Sequence, residues 1–407
     1  MPVSPRQTKL RRTTGQDSQS AVEAPVPASV ASDATTPRPT LPACVAVDPL
    51  DPAGLGPLPQ VPLLPEALRR KHKVFVEADA RFRANARFLQ ALWREDRGIP
   101  IGVHEDQRGR RCALGSRISA AAGRAGTNFI DPAILPVVNR ELTYREVGAV
   151  YELDRLSTNL LSSQPLVFNA CATLKLDLVL ATRVLAELLP GYLREVTEVL
   201  FEHSPGRGDP RFTQDGTAFD LALRGRSDTG EGVTVYWEWK YSESCQEPVP
   251  RFSGRFDAIA PGAGLFVDPA NPRLRSNPVQ QFFRQHCLAA TTLDQGLTDR
   301  AVLVLVAPRL NHTVWAAASA YASQLLDPVG GRVPFVPVTL ERFFGALAAA
   351  GAVTQAQALH RRYTDFWLVD GELQLDAGPS EAGAIFSAES PVRRRQARRR
   401  SPVQDAT

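Results

Sequence analysis

The segment VTVYWEWKYSE at residues 233–243 is rich in β-branched and aromatic residues, a composition that predicts a β-strand. Because side chains alternate along a strand, Glu238 and Lys240 project together from one face. Trp237, Trp239 and Tyr241 project from the opposite face, which predicts packing against a helix. The strand therefore holds a carboxylate and an ammonium side by side on its polar face.

A second strand and a connecting loop precede this segment. Residues 218–224 (AFDLALR) predict a strand, and the polar, glycine-rich GRSDTGEG at 225–232 predicts the loop. If the hairpin closes symmetrically about Thr229, Asp220 lies opposite Glu238 on the same face. Two adjacent carboxylates repel each other unless a positive charge lies between them, and a hard divalent cation such as Mg²⁺ meets that need, with water completing its shell.

Lysine is rare in this chain, which makes Lys240 informative. The five lysines, in a chain with many more arginines, are Lys9, Lys71, Lys73, Lys175 and Lys240. A compact ammonium can hold an attacking water or a developing negative charge, whereas a planar guanidinium is suited to bidentate contacts. A Glu-x-Lys pair alone, however, is most often an exposed pair on an ordinary strand, so its meaning depends on the surrounding elements.

The order of predicted elements supplies this context. Apolar residues at helical spacing predict a helix over Thr173–Leu189, and Val196–Phe201 predicts the first of three strands. After the hairpin, Pro278–Leu293 predicts an amphipathic helix that begins with proline. The apolar run Ala301–Ala307 predicts a buried strand. The series is helix, three strands, helix, strand.

This series, with Asp on its second strand and Glu-x-Lys on its third, resembles the core of the PD-(D/E)XK nuclease superfamily over about residues 172–308. Over residues 65–365 the chain is similar to a bacterial family of restriction-endonuclease-like proteins with an N-terminal helical region. The segments that carry this similarity are RFRANARFLQALWRE (81–95), LLSSQPLVFN (160–169), FEHSPGRGDPRF (201–212), the Asp220 hairpin and QQFFRQHCLA (280–289). The resemblance implies an α/β fold with a mixed central sheet flanked by helices.

The resemblance also implies roles for individual residues. Asp220 and Glu238 are expected to bind the metal, with the backbone carbonyl of Trp239 as a further ligand. Lys240 is expected to be the catalytic lysine. The superfamily pattern has proline before its aspartate, whereas this chain has Phe219, so the first half of the motif carries little information here.

Supporting residues follow from the same resemblance. Glu202, at the end of the first strand, matches an acidic position that supplies or supports a metal ligand, although Glu198 in the same strand is an alternative. Ser163 and Gln164 precede the first core helix, where they are expected either to contact substrate or, like neighbouring Ser162, to serve in helix capping.

The second core helix offers two competing pairs. Gln280 and Arg284 are four residues apart and share a face, from which this superfamily often orients the site or contacts phosphate. Gln281 and Gln285 have the same spacing on a neighbouring face. The sequence does not choose between the two pairs.

Composition divides the chain into four predicted regions. Residues 1–64 are rich in Pro, Ser, Thr and Ala and predict disorder, 65–170 predict a helical extension, and 171–365 predict the catalytic core with C-terminal helices. Residues 366–407 predict a C-terminal segment that ends in a disordered, arginine-rich tail.

The positive charge is concentrated in that tail. The whole chain has a net charge of +4, whereas residues 391–407 contain six arginines and one aspartate, so the rest of the chain carries −1. A flexible basic tail binds phosphates without reading sequence, or is merely solvated. The arginine-rich region 81–124 is the alternative source of recognition.

Other classes of protein find less support. The five cysteines are scattered without Cys-x-x-Cys spacing, and no secretory leader or apolar span of about 18 residues is present, so we expect a cytoplasmic protein without a membrane segment. The expected function is a Mg²⁺-dependent endonuclease acting on DNA, with Mn²⁺ as an alternative metal. A restriction or defence setting is implied by resemblance alone.

Three questions stay open at this level. A catalytically silent DNA-binding or scaffold protein of the same fold is the alternative from a different class. An RNA-directed or structure-specific nuclease is the alternative enzyme. Because cutting both strands of a duplex usually takes two active sites, a homodimer is a further expectation.

Overall fold

The computed structural model of the 407-residue chain describes residues 48–105 and 109–377. The helices are α1 (Glu66–Lys71), α2 (Arg81–Asp96), α3 (Ala120–Arg124), α4 (Ile134–Thr143), α5 (Leu153–Thr158), α6 (Ser163–Leu176), α7 (Leu178–Leu188), α8 (Arg255–Gly262), α9 (Gln280–Asp294), α10 (His312–Ala322), α11 (Leu340–Ala349), α12 (Val353–Tyr363) and α13 (Trp367–Ala377). The strands are β1 (Ile101–Glu105), β2 (Arg111–Ile118), β3 (Glu195–His203), β4 (Phe219–Arg226), β5 (Gly232–Trp239), β6 (Arg300–Ala307) and β7 (Phe335–Thr339).

A five-stranded sheet in the order β3-β4-β5-β6-β7 lies at the centre. The first three strands are antiparallel neighbours, whereas β6 pairs parallel to β5 and β7 pairs parallel to β6. Parallel pairing requires a crossover connection, and α9 lies in the one between β5 and β6. The mixed α/β fold and the predicted order of core strands are confirmed.

The two faces of β5 differ as its alternation predicts. Trp237 and Trp239 pack edge-on against Phe343 of α11, with ring centroids 5.9 and 4.9 Å apart. On the opposite face the Tyr236 hydroxyl donates a hydrogen bond to Thr292 of α9. The sheet is therefore covered by α11 on one side and by α9, which also faces Glu238 and Lys240, on the other.

The single helix predicted over residues 173–189 is wrong. The structure has α6 and α7 in its place, bent by 118° where Asp177 separates them. Asp177 has an extended backbone and its carboxylate accepts a hydrogen bond from the Leu180 N–H, at 2.9 Å. An aspartate with this geometry is an N-cap, so it ends one helix and begins the next.

The predicted helical extension also contains a β-hairpin, β1–β2, which the sequence analysis did not anticipate. Its helix α2 joins the core directly, because Gln90 donates to the Tyr241 hydroxyl at 3.0 Å and to the Arg362 carbonyl at 2.8 Å. One hydrophobic cluster includes Val61, Phe88 and Trp239. The boundaries proposed at 64/65, 170/171 and 365/366 stay predictions.

The two predicted tails fall largely outside the described residues. Residues 48–64 are described, and Val61 among them is buried. Residues 1–47 and the arginine-rich residues 391–407 are not described. Within the described ranges, no single helix is long and apolar enough to cross a membrane.

Candidate active site

The hairpin β4–β5 brings Asp220 and Glu238 together. Leu221 pairs with Trp237, so the same register continued by one residue sets Asp220 opposite Glu238, as a hairpin centred on Thr229 predicts. The backbone N–H of Trp239 donates to Asp220 Oδ2 at 2.7 Å. This bond fixes one carboxylate oxygen of Asp220 against the strand that carries Glu238 and Lys240.

Glu238 and Lys240 form a buried ion pair, 2.9 Å between Nζ and Oε1, with side chains only 4% and 7% exposed. Gln281 bridges both, accepting from Lys240 Nζ at 2.7 Å and donating to Glu238 Oε1 at 2.6 Å. Gln285 donates to the other Glu238 oxygen. Every oxygen of Glu238 is therefore held by a donor from Lys240 or α9.

Lys240 remains charged in this setting. Burial by itself lowers the pKa of Lys240, but the negative charge of Glu238 opposes that effect, and together with Cys245, Glu247 and Glu243 it raises the pKa above its ordinary value. An ammonium with a raised pKa donates hydrogen bonds and does not accept a proton near neutral pH.

Glu202 lies next to Asp220 at the end of β3. It has a left-handed backbone (φ 48°), rare for a residue other than glycine. Together with Tyr151 and Gln164, both residues line a small cavity. Burial, followed by the charge of Glu238, raises the pKa of Glu202 to about 7.

The pKa of Asp220 is shifted in the same direction. Burial raises its pKa well above the ordinary value, and the charges of Glu238 and Glu202 raise it further. Lys240 and the Trp239 N–H act in the opposite sense but do not offset these effects. The carboxylates of Asp220, Glu202 and Glu238 therefore lie together at this end of the sheet, and the charge of Lys240 does not offset all of theirs.

A model of the PD-(D/E)XK nuclease superfamily matches residues 77–365. The chain belongs to this superfamily. No curated protein and no solved structure matches it. The superfamily's defining pattern, an aspartate followed on the next strand by Glu-x-Lys, is carried here by Asp220, Glu238 and Lys240.

The donor set suits a hard divalent cation of the kind that PD-(D/E)XK nucleases use. The side-chain atoms near Asp220 that suit a metal ion as ligands are oxygens. Mg²⁺ in proteins is bound by one or two carboxylates and keeps several waters. Gln164 Oε1 is buried without a hydrogen-bond partner among the described residues. No group of three His, Cys, Asp or Glu side chains in the described ranges is arranged to hold an ion by itself. These residues therefore fit a site in which water supplies several of the ligands of the metal ion.

Among the residues of α9, Gln281 and Gln285 contact Glu238, whereas the pair Gln280 and Arg284 does not. Arg284 donates to Asp215 at 3.0 Å, and Gln280 Oε1 is buried without a partner in the described structure. Which pair faces Glu238 depends on the rotation of α9 about its axis, and amphipathic spacing alone does not determine that rotation.

Of the other predicted supporting residues, Gln164 lines the small cavity, whereas Glu198 does not. Glu198 pairs with Arg224 on the exposed side of β3, at 3.1 Å. Ser162 caps α6, accepting from the Gln164 N–H at 3.2 Å. The Ser163 N–H donates to Glu243, just beyond Lys240, at 3.2 Å.

Sequence reasoning missed the contribution of Glu146 and Tyr151. Arg224 donates to His203 Nε2 at 3.2 Å, so His203 Nδ1–H donates to Glu146, and the Ser204 N–H donates to the other Glu146 oxygen at 3.0 Å. These contacts hold the irregular segment between α4 and α5 against the end of β3. No motif or periodicity in that segment signals its position.

Proposed function

We propose that this protein is a divalent-metal-dependent endonuclease that hydrolyses DNA phosphodiester bonds. The observation that carries the proposal is the buried Glu238–Lys240 pair opposite Asp220, tied together by the Trp239 N–H bond to Asp220. Burying a carboxylate–ammonium pair beside a second carboxylate lowers the stability of a folded protein. Such groups are characteristic of functional sites, where stability is given up for chemistry.

Within this proposal each residue has a defined task. Asp220, Glu238 and the Trp239 carbonyl would hold Mg²⁺, with Glu202 and Gln164 supporting its waters. The ion would lower the pKa of a bound water and offset the charge of the phosphate. Lys240, kept protonated by Glu238, donates to the attacking water or to a phosphate oxygen and so orients them. Gln281 keeps the ammonium and the carboxylate in register.

The test is cleavage of supercoiled plasmid, single-stranded DNA and RNA by the full chain with Mg²⁺, Mn²⁺ or EDTA. Lys240→Ala is run in parallel. Metal-dependent cleavage of DNA that the variant loses is the expected result. Preferential cleavage of RNA would instead identify an RNA-directed enzyme with the same site, and equal inactivity of both proteins on every substrate would overturn the proposal.

One observation favours a second candidate, a binding protein of the same fold without turnover. Both oxygens of Glu238 already accept hydrogen bonds from the protein, and Lys240 already contacts Glu238 and Gln281. A cation would have to bind the remaining lone pair of Glu238 Oε2 or displace one of these donors. Isothermal titration with Mn²⁺ separates the candidates: the nuclease binds it and Asp220→Ala does not, whereas the silent protein binds DNA with no metal dependence.

A further inference from the structure

A groove opens beside the candidate active site, between the end of α4 and the strand β3. It has a volume of about 570 Å³, within the range of pockets that bind small molecules. Its lining includes Arg140, Tyr144, Arg145, Tyr151, Lys175 and Phe201. We refer to it as the Tyr144 groove.

The Tyr144 groove displays an aromatic ring between two unpaired cations. Tyr144 is 81% exposed, an unusual state for a tyrosine, and both arginines that flank it are exposed. No carboxylate of the described residues lies within 4 Å of the Arg140 or Arg145 guanidinium, whereas the other cation, Lys175, is paired with Glu141 at 2.6 Å. The carboxylate of Glu146 is already occupied by His203 and the Ser204 N–H. The surplus charge in the groove is positive.

The groove adjoins the candidate active site. Tyr151 and Phe201 line it and also line the small cavity, of about 10 Å³, that Glu202 and Asp220 border. A strand that occupied the groove would therefore pass close to these carboxylates.

The segment that forms one wall is held in place by close contacts. Gly148 has a left-handed backbone (φ 83°), and a Cβ at this position would lie 2.9 Å from Cδ of Arg207. The same Arg207 donates to the Glu202 carbonyl at 3.2 Å. Arg207 therefore contacts both the wall of the groove and the backbone of Glu202.

We propose that the Tyr144 groove binds an unpaired stretch of DNA and delivers the adjoining phosphodiester to Asp220 and Glu238. Bases stack on exposed aromatic rings and arginines contact the backbone phosphates, which is how proteins bind single strands without sequence preference. Glu238 and Lys240 are almost fully buried, and a single strand, being more flexible than a duplex, adapts its backbone more readily to a recessed site. This inference rests on the proposed nuclease function and narrows its substrate to DNA with an unpaired segment.

The test is fluorescence anisotropy with the full chain in EDTA, so that binding is measured without cleavage. The probes are a labelled single-stranded oligonucleotide and its duplex. We expect Tyr144→Ala to weaken single-strand binding roughly 5- to 100-fold, and Tyr144→Phe, which keeps the ring, to stay within about two-fold. Arg140→Ala with Arg145→Ala should weaken binding and reduce its salt dependence.

The readout is the ratio of single-strand to duplex affinity, because the arginine-rich C-terminal tail would contribute to both. Arg194→Ala is the matched control: this exposed arginine precedes β3, roughly 26 Å along the strand from Glu202. Unchanged binding in Tyr144→Ala and in the double arginine variant overturns the inference, as does tighter binding of duplex than of single strand. Tighter binding of RNA than of DNA with the same sequence overturns the assignment to DNA.

Failure of this inference and failure of the proposed function give different results. If the wild type cleaves DNA and Lys240→Ala does not, while the groove variants bind normally, the nuclease stands and the groove assignment falls. If the groove variants lose single-strand binding but no protein cleaves any substrate, the groove assignment stands and the nuclease falls.

Discussion

Two of the buried cations in the described structure, Lys240 and Arg362, have opposite surroundings. Lys240 contacts the carboxylate of Glu238 at 2.9 Å. Arg362 is fully buried on α12, yet its guanidinium donates only to neutral oxygens: the carbonyl and the side-chain oxygen of Asn128, both at 2.6 Å, and Gln90 Oε1 at 3.2 Å. It also lies 4.0 Å above the ring of Trp93.

The two environments shift the pKa values in opposite directions. Burial lowers the pKa of Arg362, and no described carboxylate within 4 Å opposes it, whereas Glu238 raises the pKa of Lys240. A guanidinium satisfied by carbonyls and an aromatic face joins three parts of the chain without reacting. The Lys240 ammonium, paired with Glu238 beside two further carboxylates, keeps its positive charge and can interact with a substrate. We therefore propose that Arg362 is architectural and Lys240 chemical.

The largest expected effect comes from neutralising the chemical cation. Lys240→Gln keeps an amide that can still donate to Glu238 but removes the charge, so we expect DNA cleavage to fall at least about 100-fold. Because Glu238 is left as a buried carboxylate without its cation, the variant should also be less stable in urea, so cleavage is compared per folded molecule. Retained cleavage per folded molecule would remove Lys240 from the mechanism.

Neutralising the architectural cation should have the converse result. Arg362→Met leaves Asn128 Oδ1 and Gln90 Oε1 buried without donors and leaves the Asn128 carbonyl with the Asn169 amide alone, at a cost on the order of 3 kcal/mol in the free energy of unfolding. Urea denaturation measures this loss. Cleavage per folded molecule should be unchanged, because the residue does not touch the candidate site. A fall in specific activity with normal stability would contradict the contrast between the two cations.

The carboxylate beside the chemical cation gives a pH dependence of stability. The pKa of Glu202 is raised from 4.5 to about 7 in the folded protein, so the folded state binds this proton more tightly than the unfolded state does. The contribution of Glu202 to stability is therefore lost as pH rises from about 4.5 to 7, up to about 3 kcal/mol.

Urea unfolding of the metal-free protein at pH 5, 6, 7 and 8 measures this slope. Glu202→Gln should reduce it and leave the part that Asp220 contributes. Saturating Mg²⁺ should reduce the slope of the wild type, because a cation favours the carboxylate form. Identical slopes in wild type and variant without metal would show that Glu202 is not the group responsible.

Periodicity and composition predicted β3 to β6, whereas β1, β2 and β7 were not predicted. The Asp220–Glu238 pairing followed from alternation and a symmetric loop, both of which are local. The break at Asp177 was missed because apolar spacing continues through it and only the cap geometry ends the helix. Glu146 and Tyr151 were missed because their positions depend on contacts with residues far along the chain, such as His203 and Glu202.

The sequence also left open which of two residue pairs on α9 contacts the site, Gln280 with Arg284 or Gln281 with Gln285. The smallest of the predicted effects distinguishes between them. Gln281 bridges Lys240 and Glu238, whereas Gln280, its neighbour on the same helix, contacts neither. Gln281→Ala removes one hydrogen bond from each member of a buried ion pair, each worth about 1 kcal/mol, so cleavage should fall about 10-fold.

Gln280→Ala is the matched control, with the same change in size and composition one position away, and should leave cleavage within about two-fold. Gln280 Oε1 is buried without a partner in the described structure, so its removal costs the fold no hydrogen bond there. If Gln280→Ala proved the more damaging of the two, the helix would have to be rotated about its axis by one residue in the active protein. The donors that hold Glu238 would then be different ones, and the chemical environment assigned to Lys240 would have to be revised with them.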